Sequence, residues 1–144
     1  MCGIVTVISK NKSYEKLLNH LKKINFHRGP DKINTLFRNN YKILFRRLSI
    51  IDLSNKANQP FVNDKKTIDL VFNGEIYNYI EIKKELESKG ILFTSQSDTE
   101  VIMRSYEFWG IKFVNKLKGM FSIIIFDRVN SKIFFFKDPI GQKP

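Results

Sequence analysis

Two strongly apolar segments in the last third of the chain constrain its fold most. They cover residues 121–126 and 132–136, and a short polar connection separates them. Two strand-like segments joined in this way predict a β-hairpin. Further strand-like segments lie at residues 3–9, 35–38, 41–45 and 67–72. Because neighbouring segments are joined by short turns, we expect antiparallel sheets with helices packed on their faces, an α+β domain.

The spacing of apolar residues also predicts helices between these strands. The first covers residues 14–24, with Ser13 as its N-cap. The second covers residues 80–89 and stops at Gly90. The third covers residues 97–109 and opens with a capping-box pattern, Ser-x-x-Glu. Shorter elements are expected beside them, a strand at residues 91–94 and a helical piece at residues 112–117.

Composition excludes several classes of protein. With 42% hydrophobic residues, the chain can bury a core and does not resemble a disordered tail. Cys2 is the only cysteine, so no internal disulfide can form, and we expect a reducing, cytoplasmic location. One cysteine and two histidines make no zinc site of common spacing. No apolar run is long enough to cross a bilayer and no signal peptide is visible, so no membrane partner is expected.

The net charge leaves one alternative open. Twenty-five Lys and Arg residues against 14 Asp and Glu give +11, and a small basic domain can be a nucleic-acid-binding module. Such a module carries its cations as a stripe or cluster along a phosphate backbone. Here the lysines are scattered as singles and pairs, which is typical of solvated positions. We therefore expect no nucleic-acid partner, with the basic module as a minor alternative.

Cys2 can act as an N-terminal nucleophile. Removal of Met1 would give Cys2 a free α-amine, so that the thiol and its base would belong to one residue. Such an amine has a reference pKa of about 7.7–8.0, and part of it is unprotonated at neutral pH. The alternative is that Cys2 is a small apolar residue at the start of a strand. Position alone favours this alternative.

Four other residues can do chemistry, each with a structural alternative. Asn73 and Gly74 are expected to stop the strand at residues 67–72, where an amide and a backbone N–H could form an oxyanion hole or a tight turn. Arg47 could clamp a carboxylate in bidentate fashion or form a surface ion pair. Asp98 could bind a cation or simply favour the start of its helix.

Short motifs follow one another along the whole chain, and their order is more specific than any one of them. They are MCGIV at the start, HRGPD at 27–31, RRLSIIDLS at 46–54, NGEIYN at 73–78, SDTEVI at 97–102, GMF at 119–121 and KDPIGQKP at 137–144. This set resembles the glutaminase (class II glutamine amidotransferase) domain of glutamine-hydrolysing asparagine synthetase. HRGPD, RRLSIIDLS and NGEIYN resemble the asparagine synthetase branch in particular.

The resemblance implies a fold and a domain organisation. The fold is that of the N-terminal-nucleophile hydrolases, a four-layer αββα sandwich with two antiparallel sheets between helix layers. Residues 1–144 would form this one domain, cut short at its C-terminus. The synthetase domain, with the ATP and magnesium that it uses, would be missing, since its Ser-Gly-Gly-x-Asp-Ser loop does not occur. The domain itself would need no cofactor or metal, and a homodimer is left open.

The resemblance also implies roles for individual residues. Cys2 would attack the side-chain amide of L-glutamine, and Asn73 and Gly74 would hold the oxyanion. Arg47 would bind the α-carboxylate of glutamine and Asp98 its α-ammonium. A zwitterionic substrate needs one cation and one anion in its site, and these two residues supply them, which supports the roles independently of the resemblance. The pocket would be completed by Leu48, Ser49, Ile50, Ile51 and Glu75.

The chain departs from the family pattern at two positions and leaves one further alternative open. Phe45 stands where the family usually has histidine, and Lys137 where it usually has arginine. We expect Phe45 to alter the support for Arg47 rather than remove it. Because the chain stops soon after Gly141, a catalytically inactive fragment of the family is the alternative to an active glutaminase.

Overall fold

The computed structural model describes residues 2–9, 14–48 and 52–144. The strands are β1 (Gly3–Ile8), β2 (Lys32–Phe37), β3 (Tyr41–Arg47), β4 (Phe61–Val62), β5 (Ile68–Ile76), β6 (Gly119–Asp127) and β7 (Lys132–Lys137). The α-helices are α1 (Glu15–Ile24), α2 (Tyr79–Glu87) and α3 (Asp98–Trp109). Short 3-10 helices cover Phe26–Arg28, Asn55–Ala57 and Gly110–Lys116.

The strands form two antiparallel sheets. The first sheet has the order β1-β3-β2 and the second the order β4-β5-β6-β7. The C-terminal hairpin predicted from the two apolar segments is present as β6 and β7, which pair from Asp127 opposite Lys132. The hairpin predicted near residues 35–45 is present as β2 and β3. Both predictions are confirmed.

The two sheets pack face to face through an apolar core. Tyr41, Ile43 and Phe45 of β3 contact Val71 of β5 and Phe126 of β6. The rings of Tyr41 and Phe126 stack with their centroids 4.0 Å apart. Burial of such side chains is the main force that holds sheet on sheet.

Helices cover the outer faces of both sheets. Phe72, Ile123 and Ile125 of the second sheet pack against Ile102 and Leu86 of the helices α3 and α2. On the first sheet, Arg46 of β3 donates to the backbone carbonyl of Lys22 in α1. The order is therefore helix, sheet, sheet, helices, and the predicted αββα sandwich is confirmed. No helix in the described ranges is long and apolar enough to cross a membrane.

The prediction that Asn73 and Gly74 stop a strand is wrong. β5 continues to Ile76, because β6 pairs with it along its length, from Ile68 opposite Asp127 to Ile76 opposite Gly119. The strands approach so closely that a Cβ on Gly74 would lie 2.1 Å from the carbonyl oxygen of Met120. Glycine is needed here for close approach of the backbones rather than for a turn.

Two predictions around the start of α3 need correction. Residues 91–94 form no strand, because the backbone of Thr94 is held instead by the buried Glu100 carboxylate at 3.0 Å. The capping box is only half made. Ser97 Oγ accepts from the N–H of Glu100 at 3.2 Å, whereas the Glu100 carboxylate accepts from the N–H of Ser95 at 2.6 Å. The predicted N-cap Ser13 lies outside the described residues.

Candidate active site

A cavity of about 160 Å³ opens where the start of β1, the end of β3, the end of β5 and the N-terminus of α3 meet. Every predicted site residue within the described ranges lines it. These are Cys2, Arg47, Leu48, Asn73, Gly74, Glu75 and Asp98. The predicted pocket residues Ser49, Ile50 and Ile51 lie outside the described residues. Residues far apart in the chain therefore converge because antiparallel strands bring their ends to one edge.

The thiol of Cys2 is held by the end of β3. The N–H of Leu48 donates to Cys2 Sγ at 3.5 Å, and Sγ lies 3.7 Å from the carbonyl oxygen of Leu48. The guanidinium of Arg28 donates to the carbonyl of Cys2 at 3.5 Å. The sulfur is thus half-buried at the edge of the core between the sheets. Leu48 contributes through its backbone, a role that its side-chain type does not reveal.

The edge of β5 beside the cavity carries three backbone N–H groups on alternate residues. The N–H of Phe72 donates to Gln59 Oε1 at 2.6 Å, and the N–H of Ile76 donates to Asp98 Oδ2 at 3.3 Å. Because successive N–H groups of a strand point to opposite edges, the N–H of Gly74 points to this same edge, between these two bonds.

The side chain of Asn73 lies on the other face of β5 from Phe72. Strand alternation puts it on the same face as Val71, which packs against the first sheet. Cys2 packs against that same core between the sheets. The Asn73 amide is buried, with 4% of its surface exposed. The amide and the thiol therefore face a common space, with Glu75 further along the same face and exposed.

Arg47 is buried and organises the loop that follows β3. Its Nη1 donates to the carbonyl of Ser54 at 2.9 Å and to Asn58 Oδ1 at 2.7 Å, and its Nη2 donates to the carbonyl of Asp52. Among the described residues, these contacts use three of the five N–H donors of the guanidinium. Phe45 packs into the core between the sheets, and the support of Arg47 comes from the loop instead.

Asp98 places a buried carboxylate in the lining of the cavity. It is the first residue of α3 and 6% exposed. Burial raises the pKa of its carboxyl to about 6, and the nearby Glu75 carboxylate adds to the rise, while hydrogen bonds from the N–H groups of Ile76 and Thr99 oppose it. At neutral pH the group is ionised, and a cation in the cavity would favour that form further.

Other residues of the cavity lining were not predicted from the sequence. They are Asp52, Ala57, Gln59, Phe72, Ser97, Thr99, Met120 and Lys143. Ser97 and Thr99 flank Asp98 and belong to the same motif, so their position next to Asp98 could have predicted that they line the cavity. Gln59 lies in a polar loop without any pattern that points to the site.

Lys143 reaches the cavity because Asp138 folds the end of the chain back. The Asp138 carboxylate accepts from the N–H groups of Phe121 at 3.1 Å, Ile140 at 3.2 Å and Gln142 at 3.0 Å. These backbone hydrogen bonds, that from Gln142 foremost, lower the pKa of Asp138. Lys143 is buried beside the cavity as a result. Among the described residues, no cluster of three or more His, Cys, Asp or Glu could hold a metal ion.

Comparison with known proteins shows which family this sequence matches. A family model described as "Glutamine amidotransferase domain" matches residues 1–144. Asparagine synthetase (glutamine-hydrolyzing) 1 of Bacillus subtilis (strain 168) is 39% identical over 149 residues, covering 100% of this chain and 23% of its own length. Asparagine synthetase (glutamine-hydrolyzing) 2 of the same organism is 41% identical, covering 100% of this chain and 20% of its own length. The chain thus spans between a fifth and a quarter of the length of these relatives.

A solved structure shows the same fold. The glutamine phosphoribosylpyrophosphate amidotransferase of B. subtilis, complexed with ADP and GMP, superposes with a TM-score of 0.61 at 23% sequence identity. The match covers 74% of this chain and 25% of that chain. Similarity at this level of identity concerns the arrangement of sheets and helices.

Proposed function

This chain belongs to the family of glutamine amidotransferase domains, and we propose that it hydrolyses the side-chain amide of L-glutamine to glutamate and ammonia. One observation carries the proposal. A single cavity brings the Cys2 thiol together with Asn73 and Gly74, and with a buried cation and a buried anion, Arg47 and Asp98.

Cys2 supplies the nucleophile and its base in the proposed reaction. After removal of Met1, the α-amine takes the thiol proton while Sγ bonds to the amide carbon of glutamine. The same proton then passes to the amide nitrogen, the carbon–nitrogen bond breaks, and ammonia leaves a thioester on Cys2. Water, deprotonated by the α-amine, attacks the thioester, and glutamate departs as the proton returns to sulfur.

Asn73 and Gly74 stabilise the charge that forms on the carbonyl oxygen. The Nδ2 group of Asn73 and the backbone N–H of Gly74 are the two donors in the proposal. It is supported by the strand edge, where the neighbouring N–H groups of Phe72 and Ile76 already have acceptors. Donors fixed before the reaction stabilise an oxyanion more than mobile water does, because they need no reorganisation.

Arg47 and Asp98 hold the two charges of the amino acid. The Arg47 guanidinium binds the α-carboxylate, and the Asp98 carboxylate binds the α-ammonium. The other residues of the proposed pocket are Leu48, Ser49, Ile50, Ile51 and Glu75. Because both charged groups are attached to the α-carbon, holding them leaves the side-chain amide, at the other end of the substrate, as the part that reaches Cys2.

In the whole protein, the ammonia is proposed to serve an amidation. The relatives are named asparagine synthetases, so we propose aspartate or a related carboxylate as the acceptor, in a synthetase domain that would use ATP and magnesium. Residues 1–144 would themselves use no cofactor. A cytoplasmic location belongs to the proposal, because a thiol nucleophile has to stay reduced.

The test is glutamate release by the purified chain, with mass spectrometry to establish that Met1 is absent. We expect release from L-glutamine, and none from D-glutamine or L-asparagine, whose charged groups or amide would be misplaced. A folded chain that lacks Met1 and releases no glutamate would contradict the proposal and support an inactive member of the family.

A further inference from the structure

We infer that Gln59 is a positioning residue of this site, whose side-chain amide ties the oxyanion segment of β5 to the N-terminus of α3. The inference rests on the proposed function. Gln59 precedes β4 and is 6% exposed. It contacts two elements that carry different parts of the site.

The first contact sets the free edge of β5. In the described part of the chain, β4 pairs with β5 at Asp69 and Leu70 alone, so β5 extends past it at Phe72. There Gln59 Oε1 accepts the N–H of Phe72 at 2.6 Å, directly before Asn73. This contact replaces the strand partner that β4 does not supply, and it keeps the next N–H on this edge, that of Gly74, in line with the cavity.

The second contact fixes the helix that carries the anion. Gln59 Nε2 donates to Thr99 Oγ1 at 3.2 Å, and Thr99 directly follows Asp98. The side-chain amide offers an acceptor and a donor from one planar group. A carboxylate has no donor when ionised, and an aliphatic side chain has neither.

The backbone of Gln59 is anchored as well. Asn34 Nδ2, on β2 of the first sheet, donates to the carbonyl oxygen of Gln59 at 2.8 Å. Gln59 therefore stands where the first sheet, β5 and α3 meet. A shift of its side chain would move the oxyanion donors relative to Asp98 without touching the Cys2 thiol.

The experiment compares Gln59→Met with the unaltered chain. Methionine matches the length of glutamine and removes both hydrogen bonds. We expect kcat to fall and the KM for glutamine to rise, lowering kcat/KM by about tenfold or more, as a lost buried hydrogen bond can do. The matched control is Gln96→Met, since Gln96 is exposed and its side chain bonds Lys83 away from the cavity.

Substitution of Thr99 separates the two contacts. Thr99→Val removes only the link to α3, so we expect the KM for glutamine to rise while kcat changes by less than about threefold. Thr99→Ser keeps the hydroxyl and should recover the KM. This pair also decides the question if Gln59→Met fails to fold.

Labelling of Cys2 distinguishes positioning from general damage. Iodoacetamide reports the reactivity of the thiol alone, and a diazoketone analogue of L-glutamine reports the assembled site. We expect Gln59→Met to slow labelling by the analogue and to leave labelling by iodoacetamide unchanged. If the folded Gln59→Met, Thr99→Val and unaltered chains had equal kinetics of turnover and labelling, the inference about Gln59 would be overturned and the proposed function would stand. An unaltered chain without glutamine turnover overturns the proposed function, and the inference with it.

Discussion

The carboxylate of Asp98 accepts a hydrogen bond from the backbone N–H of Ile76, with a nitrogen–oxygen distance of 3.3 Å. This bond joins the first turn of α3 to the edge of β5 on which the N–H of Gly74 also lies. The proposed ammonium-binding group is therefore fixed with respect to the proposed oxyanion donor, through one side chain.

The pKa of Asp98 predicts how glutamine binding depends on pH. Burial raises this pKa to about 6, so Asp98 takes up a proton as the pH falls through about 6, and its attraction for the ammonium is lost. The dissociation constant of glutamine should then rise about tenfold per pH unit below that value. Measuring it by calorimetry on Cys2→Ser, which lacks the thiol nucleophile, prevents hydrolysis of the glutamine during the experiment. A constant that stays flat between pH 5 and 7 would contradict the role of Asp98.

The same pKa predicts an effect on stability, of opposite sign to the usual case for a carboxylate. The folded-state pKa lies above the ordinary value of 3.8, so the folded protein binds more protons than the unfolded chain between these values. The contribution of Asp98 to the free energy of unfolding is therefore largest below about pH 4 and falls as the pH rises through about 6. Asp98→Asn should remove this component in urea denaturation over that range. An identical pH dependence in both proteins would exclude it.

Asn73→Ala should slow turnover and leave the fold intact. If the Asn73 amide stabilises the oxyanion, its removal should lower kcat by about 10²–10³-fold, as removal of one such donor does. The steady-state rate of glutamate release measures this. Asn39→Ala, in the exposed turn of the β2–β3 hairpin, is the control for removal of an asparagine amide. A fall in kcat of less than about threefold in folded Asn73→Ala would contradict the oxyanion role of Asn73.

The fold could be predicted because local patterns and long-range pairing agree in most of the chain. The apolar runs that form β6 and β7 and the cap at Ser97 are local signals that the structure keeps. Asn73 and Gly74 mislead because Asn-Gly is a strong turn signal, and only the presence of β6 beside them extends the strand. Local patterns carry no information on which strand lies alongside.

The residues of the site also fall into two groups, those that local sequence patterns identify and those that they do not. Cys2 and Asp98 stand out by position and motif, and the cavity contains both. Gln59 and Lys143 could not be assigned to the site from the sequence. Gln59 reaches the cavity because its side chain bonds the N–H of Phe72, which is distant in the sequence. Lys143 reaches it because the segment after Asp138 folds back. Such partners become visible only when the strand edges are placed.

Cys2→Ser, or retention of Met1, should abolish glutamate release. Serine keeps the shape but is a far weaker nucleophile without a strong base, and a retained Met1 removes the free α-amine next to the thiol. Release is measured by an enzyme-coupled glutamate assay on both proteins. Thermal melting should show no loss of stability for Cys2→Ser, because the side chain is only half-buried. Unchanged turnover in either protein would rule out the N-terminal mechanism.

Gly74→Ala should destabilise the fold more than Gly90→Ala. A Cβ at position 74 would lie 2.1 Å from the carbonyl oxygen of Met120 and 2.7 Å from Cα of Phe121, so β5 and β6 would have to separate beside the cavity. Gly90 has a φ of 82° but no atom within 4 Å of a Cβ, so its substitution should cost only the strain of that backbone conformation, about 1–3 kcal/mol. Urea denaturation of both variants measures the difference. If Gly74→Ala proved as stable as Gly90→Ala, the close approach of these strands would not be what requires glycine at this end of the site.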